Sequence, residues 1–242
     1  MYDFSNKRAL VTGGSRGIGK EVVKQLTNCG AQVFALSKSQ GNLDALKAEI
    51  PSVETICVDI SDWKKTEEAL SKIGTIDLLV NNAGIGDSCR TGEITEERYD
   101  ELVATNLKSV INVSQIITKR LKDEKKPGSI VNVSSVTSLL YMFNISYASV
   151  KAALDKITKT MAVDLGPYQI RVNSVNPTFV NTDMTKVIFE IPELGAELKA
   201  MIPLDEFCKT EDVANAVLFL LSDKARMING VILPIDGGQA AK

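Results

Sequence analysis

Apolar residues in this chain gather in short runs separated by stretches with helical spacing. Runs at Arg8–Thr12 and at residues 30–36, 55–59, 76–80, 129–135, 170–175 and 230–236 are each five to seven residues long. That is the length of a strand buried on both faces. Between them, apolar positions recur at helical spacing over residues 20–28 (Val22, Val23, Leu26), 43–50 (closed by Pro51), 63–73, 96–119, 147–165 and 212–221. The first strand, helix and second strand form a βαβ unit, which predicts right-handed, parallel pairing. The helix over 147–165 carries Val150, Leu154, Ile157 and Met161 on one stripe, expected to be core or subunit interface, and stops at Gly166-Pro167. Residues 180–209 carry Phe179, Phe189, Ile191, Pro192, Met201 and Pro203 in or beside them without regular spacing, as in a lid over a substrate.

The joints between these elements carry the chemistry. The first strand runs into Gly13-Gly14-Ser15-Arg16-Gly17-Ile18-Gly19 and then a helix. Gly13 and Gly17 let the backbone turn tightly beside a ligand, Gly19 allows close helix packing, and the helix start attracts phosphate. The second strand ends in Ser37-Lys38-Ser39, where a carboxylate would accept from the ribose of NAD. Lys38, with Arg16, instead attracts a 2′-phosphate and favours NADP(H); the alternative is two solvated cations. The third run ends at Asp59, expected near an adenine amino group, and the fourth enters Asn81-Asn82-Ala83-Gly84, whose small residues let a cofactor lie on the strand end. The fifth ends in Ser134-Ser135, and Tyr147 and Lys151 follow four positions apart on one helix face. An ammonium beside a tyrosine is expected to lower its pKa from ~10 and make it a general acid or base. The plainer alternative is an amphipathic helix with a half-buried Tyr and a solvated Lys.

Composition narrows the chemistry further. There is no histidine, which excludes a Ser-His-Asp triad and imidazole metal ligation. Cys29, Cys57, Cys89 and Cys208 are too dispersed for a zinc site or disulfide framework and read as reduced thiols of a cytoplasmic protein. A net charge of −2 gives no reason to expect nucleic acid, and no run is long enough for membrane insertion. At 242 residues one domain is expected.

Taken in order, Thr12-Gly13-x-x-x-Gly17-x-Gly19, Asn81-Asn82-Ala83-Gly84, a polar Asn106 among apolar neighbours, Ser135, Tyr147-x-x-x-Lys151, Asn176-Pro177-Thr178 and Asp236-Gly237-Gly238 resemble the short-chain dehydrogenases/reductases over essentially the whole chain. The resemblance implies a Rossmann-type, doubly wound, mostly parallel seven-stranded sheet. It divides the chain into a dinucleotide-binding half to about residue 125 and a catalytic half after it. It implies NADPH-dependent reduction of small carbonyl compounds such as ketoses and α-dicarbonyls, with Tyr147 as proton donor, Ser135 polarising the carbonyl, Lys151 lowering the Tyr147 pKa and Asn106 holding a water in a relay. Cofactor contacts fall to Gly13, Ser15, Arg16, Gly17, Ile18, Gly19, Ser37, Lys38, Asp59, Asn82, Ala83, Gly84, Tyr147, Lys151, Pro177, Thr178, Val180 and Thr182, and a homotetramer is expected. The pattern departs at one place: Ser135 is twelve residues before Tyr147, one fewer than is usual, which puts substrate preference in doubt. Ser135 is chosen over Ser134 because strand alternation points the two to opposite faces. A steroid, retinoid, other alcohol or acyl-carrier-linked ketone is the alternative substrate, and a non-catalytic nucleotide sensor the alternative outside enzymes.

Overall fold

A long apolar run can be buried on both faces only if helices cover both faces of its sheet. The computed structural model, which describes residues 2–142, 144–186 and 190–241, meets that condition. Strands β1 (Arg8–Thr12), β2 (Gln32–Ser37), β3 (Glu54–Cys57), β4 (Leu78–Asn81), β5 (Gly128–Val133), β6 (Ile170–Pro177) and β7 (Ile232–Ile235) form one sheet in the order β3-β2-β1-β4-β5-β6-β7. Every pair is parallel, β1 against β2 running from Arg8 opposite Gln32 to Thr12 opposite Leu36.

Side chains alternate across the sheet into two cores. Ala9 and Val11 of β1 join helices α1 (Gly17–Asn28), α2 (Gln40–Glu49) and α8 (Thr210–Leu221) through Val22, Leu26, Leu43 and Val217. Leu10 joins α3 (Trp63–Ser71), α5 (Ser109–Asp123) and α6 (Ile145–Leu165) through Leu70, Ile117 and Leu165 on the other face. Of the stripe on α6, Val150 and Leu154 are fully buried and Met161 packs on this second core. The remaining helices are α4 (Glu96–Val103) and α7 (Pro192–Ala200).

Chain order reverses at β1, which lies between β2 and β4. Open parallel sheets bind ligands outside the strand ends at such a point. The glycine turn after β1 and the Asn82-Ala83-Gly84 turn after β4 therefore face one crevice.

Three local features differ from the sequence expectation. β3 stops at Cys57, so Asp59 lies in the following loop, exposed, where its Oδ1 accepts from the Ser61 backbone N–H (2.9 Å) and hydroxyl (2.7 Å). Residues 180–209 are not wholly irregular: α7 begins at Pro192, whose fixed φ suits a first helical turn. The helical stretch from Glu96 to Asp123 is interrupted by a π-helical turn, Ala104–Lys108, which carries Asn106. Phe189, counted within the lid, lies outside the described residues.

Among the described residues no helix is long and apolar enough to cross a membrane, and no His, Cys, Asp or Glu cluster could hold a metal ion.

Candidate active site

The glycine turn is shaped by close approach. Gly13 has φ +64° and a Cβ there would meet the Ala83 Cα at 2.8 Å and the Asn82 Nδ2 at 2.9 Å. A Cβ at Gly19 would collide with the Gly13 carbonyl oxygen. Thr12 ties the two turns together, its Oγ1 accepting from the backbone N–H of Asn82 (3.0 Å) and Ala83 (3.1 Å). Asn82 Nδ2 donates back to the Thr12 (3.0 Å) and Gly13 (3.2 Å) carbonyls. Asn82 thus holds the turn through its side chain, with Thr12 as a partner that the sequence reading quoted but gave no role. Gly19→Ala should destabilise the fold by about 1–3 kcal/mol, read as a melting temperature several degrees lower; an unchanged melting temperature would contradict this packing.

Arg16 starts α1 without a side-chain cap, leaving the first backbone N–H groups of the helix without an N-cap side-chain acceptor. A Cβ at Gly17 would lie 3.3 Å from the Thr182 Cγ2, so the segment after β6 closes over the glycine turn. Ser15 is buried and donates to the Ser37 hydroxyl at 2.9 Å. Lys38 is exposed beside it. Arg16 makes an exposed ion pair with Asp183, at 3.4 Å. The pocket geometry fits a dinucleotide, a backbone cradle too tight for side chains set at an uncapped helix N-terminus. Pro177 ends β6, Thr178 is buried and donates to the Gln239 side chain, and Val180 bridges to Cys208.

At the neighbouring strand end, β5 and α6 bring the reactive groups together. Lys151 is only 4% exposed and its Nζ donates to the Val133 carbonyl at 2.8 Å, which excludes a solvated surface lysine. Its Nζ is 5.5 Å from the centre of the Tyr147 ring. A Cβ at Gly84 would lie 3.2 Å from Asn106 Oδ1 and 3.9 Å from Lys151 Nζ, so the turn after β4 packs against both. Asn106 clamps Ile85, accepting its N–H at 2.8 Å and donating to its carbonyl at 2.9 Å. The π-helical turn sets the Asn106 side chain at this depth, a device often found at functional sites.

The two serines face different ways. Ser134 donates from its hydroxyl to the Lys151 carbonyl at 3.3 Å, within the packing of α6 on the sheet. Ser135 lies against the Tyr147 hydroxyl, its hydrogen bond pulling the tyrosine pKa down. Burial pushes harder in the other direction, and the Tyr147 hydroxyl is raised to about 12. The depression expected from Lys151 is therefore absent: burial disfavours the phenolate, and the ammonium is engaged by Val133. Burial also lowers the Lys151 ammonium to about 8, against the Asp155 carboxylate, which raises it. Tyr147 is accordingly neutral across the physiological range.

Sequence reading missed the support around this site. Asp155, Ser138, Ser174 and Asn176 form a buried hydrogen-bonded group behind Ser135. Asp87, its side chain 5% exposed, pairs with Arg98 of α4, which also donates to the Gly86 carbonyl. Apart from Asn176, which belongs to a motif quoted above without a role, nothing in the local sequence marks these residues, because the contacts join distant segments.

Comparison with known proteins agrees with this geometry. A family model described as enoyl-(acyl carrier protein) reductase matches residues 13–240. An L-xylulose reductase of Bos taurus is 48% identical over 97% of this chain and 97% of its own length. Carbonyl reductase (NADPH) 2 of Sus scrofa is 45% identical over 100% of this chain and 99% of its own. Among solved structures, a gluconate 5-dehydrogenase from Burkholderia cenocepacia in complex with NADP and tartrate superposes with a TM-score of 0.94 at 26% identity, covering 99% of this chain and 97% of that one. With the glycine turn, the Asn82 clamp and the Ser135, Tyr147 and Lys151 cluster in place, the chain belongs to the short-chain dehydrogenase/reductase family of nicotinamide-dependent oxidoreductases.

Proposed function

We propose that this protein reduces small ketoses, L-xylulose among them, and α-dicarbonyl compounds, using NADPH. The observation that carries the reading is the protonated Tyr147 hydroxyl held beside the Ser135 hydroxyl with the Lys151 ammonium behind it. That pairing suits a carbonyl gaining a proton on oxygen. Relatives named L-xylulose reductase and carbonyl reductase, all aligned over nearly the full chain, support the substrate class.

The cofactor supplies the hydride. The glycine turn and the start of α1 would hold its pyrophosphate, and Lys38, with Arg16 released from Asp183, its 2′-phosphate. Asp59, Ser37, Thr178, Val180 and Thr182 line the same crevice in this reading. Ser135 donates to the substrate carbonyl oxygen and polarises it, and Tyr147 transfers its proton to that oxygen as negative charge develops. Lys151 then stabilises the tyrosinate left behind, and Asn106 keeps the turn at Ile85 in register for reprotonation. In this reading the described residues 180–186 and 190–209 close over the substrate and exclude water. The protein is proposed to act as a homotetramer in the cytoplasm; a monomeric mass in light scattering would remove the tetramer.

The activity is tested by following NADPH and NADH oxidation with L-xylulose and diacetyl. Preferential use of NADPH with either carbonyl supports the reading, and oxidation of neither cofactor contradicts it. Lys38→Glu should weaken NADPH binding by about 10- to 100-fold, the worth of a charge-assisted hydrogen bond, and leave NADH binding unchanged. Equal effects on both dinucleotides would refute the 2′-phosphate assignment.

A further inference from the structure

A carboxylate withdrawn from water needs donors around it. Asp155 is 8% exposed and lies one helical turn beyond Lys151 on α6. Its Oδ2 accepts from the Ser138 hydroxyl and from Asn176 Nδ2 (2.8 Å), and its Oδ1 from the Ser174 hydroxyl (3.2 Å). The same two donors reach the backbone of Ser135: its carbonyl is 2.7 Å from Ser138 Oγ and 3.1 Å from Asn176 Nδ2. Helix α6, strand β6 and the loop after β5 thus meet on one carboxylate, directly behind Ser135.

The charge of Asp155 faces a second target. On α6 the Lys151 ammonium has Tyr147 on one side and Asp155 on the other. The elements packed against it, namely β5, the turn after β4 and the π-helical turn, bring the Val133 carbonyl, Gly84 and Asn106, none of which titrates. Among the described residues, Asp155 is the carboxylate that favours the charged lysine.

We propose that Asp155 is a positioning residue for carbonyl reduction, fixing Ser135 through Ser138 and Asn176. The proposal rests on the roles given above to Ser135 and Lys151.

Asp155→Asn keeps the volume and removes the charge, and its amide NH2 confronts donors that met a carboxylate. The test compares kcat/KM against pH for diacetyl reduction in the wild type, Asp155→Asn, Ser138→Ala and Ser135→Ala, each verified as folded by circular dichroism. Burial lowers the Lys151 ammonium to about 8, so loss of its proton is expected to set the alkaline limb of the wild-type profile. Asp155→Asn should lower kcat/KM by about 10- to 100-fold, the scale of a displacement of a reacting group by about 1 Å, and move that limb to lower pH. Ser138→Ala keeps the charge, so it should lose activity without moving the limb. An unmoved limb in Asp155→Asn, with only a lower melting temperature, would make Asp155 a structural carboxylate and overturn the proposal. Full turnover in Ser135→Ala would instead overturn the underlying assignment of Ser135, which is a separate result.

Discussion

Replacing Tyr147 by Phe is expected to leave NADPH binding intact and to reduce turnover by about 10³-fold, within the range that a positioned general acid contributes. The substitution removes one oxygen and keeps the ring, so the packing of α6 on the sheet is undisturbed. The expected deficit lies in kcat, because the proton is needed only once charge develops on the substrate oxygen. The raised pKa of Tyr147 gives the sign of the pH dependence: burial favours the neutral hydroxyl, so reduction proceeds through neutral pH and fails only as the site loses protons on the alkaline side. Fluorescence titration of NADPH beside steady-state rates checks both halves. A Tyr147→Phe protein that keeps wild-type turnover would place the proton donor elsewhere.

The second large effect separates two adjacent hydroxyls. Ser135→Ala should lower kcat by about 10²- to 10³-fold, the cost of removing one donor to a developing oxyanion. Ser134→Ala should leave kcat within a few-fold of wild type and instead lower stability by about 1 kcal/mol, since its hydroxyl serves only the Lys151 carbonyl. The reverse ranking would show that the short Ser135 to Tyr147 spacing changes which serine faces the substrate.

Much of this arrangement was legible before any coordinates, for physical reasons. Strands β1 and β4 are largely buried on both faces, and their sequences carry the short apolar runs Ala9–Val11 and Leu78–Val80. Gly13, Gly17 and Gly19 lie where backbone and ligand come too close for a Cβ, and that requirement leaves a visible spacing. Tyr147 and Lys151 are legible because one helix face brings them together. Asp155 was not, since its partners lie far from it in the chain, Ser138 in the loop after β5 and Ser174 and Asn176 on β6. The π-helical turn at Ala104–Lys108 was hidden inside an unbroken helical pattern. The pKa of Tyr147 was misjudged because sequence shows the neighbouring ammonium but not the burial that outweighs it. Helix α7 was missed because its apolar residues are too few to mark one face.

The central claim is that the chain moves a hydride from NADPH to a carbonyl carbon while Tyr147 protonates the oxygen. The most direct measurement is to supply NADPH deuterated at the transferable position of its nicotinamide, with L-xylulose, and to analyse the product by mass spectrometry. The account predicts a pentitol one mass unit heavier than that formed with unlabelled NADPH, its deuterium on the former carbonyl carbon, and almost none from the Tyr147→Phe protein. A pentitol without the label, or NADPH consumed with no reduced sugar formed, would contradict it.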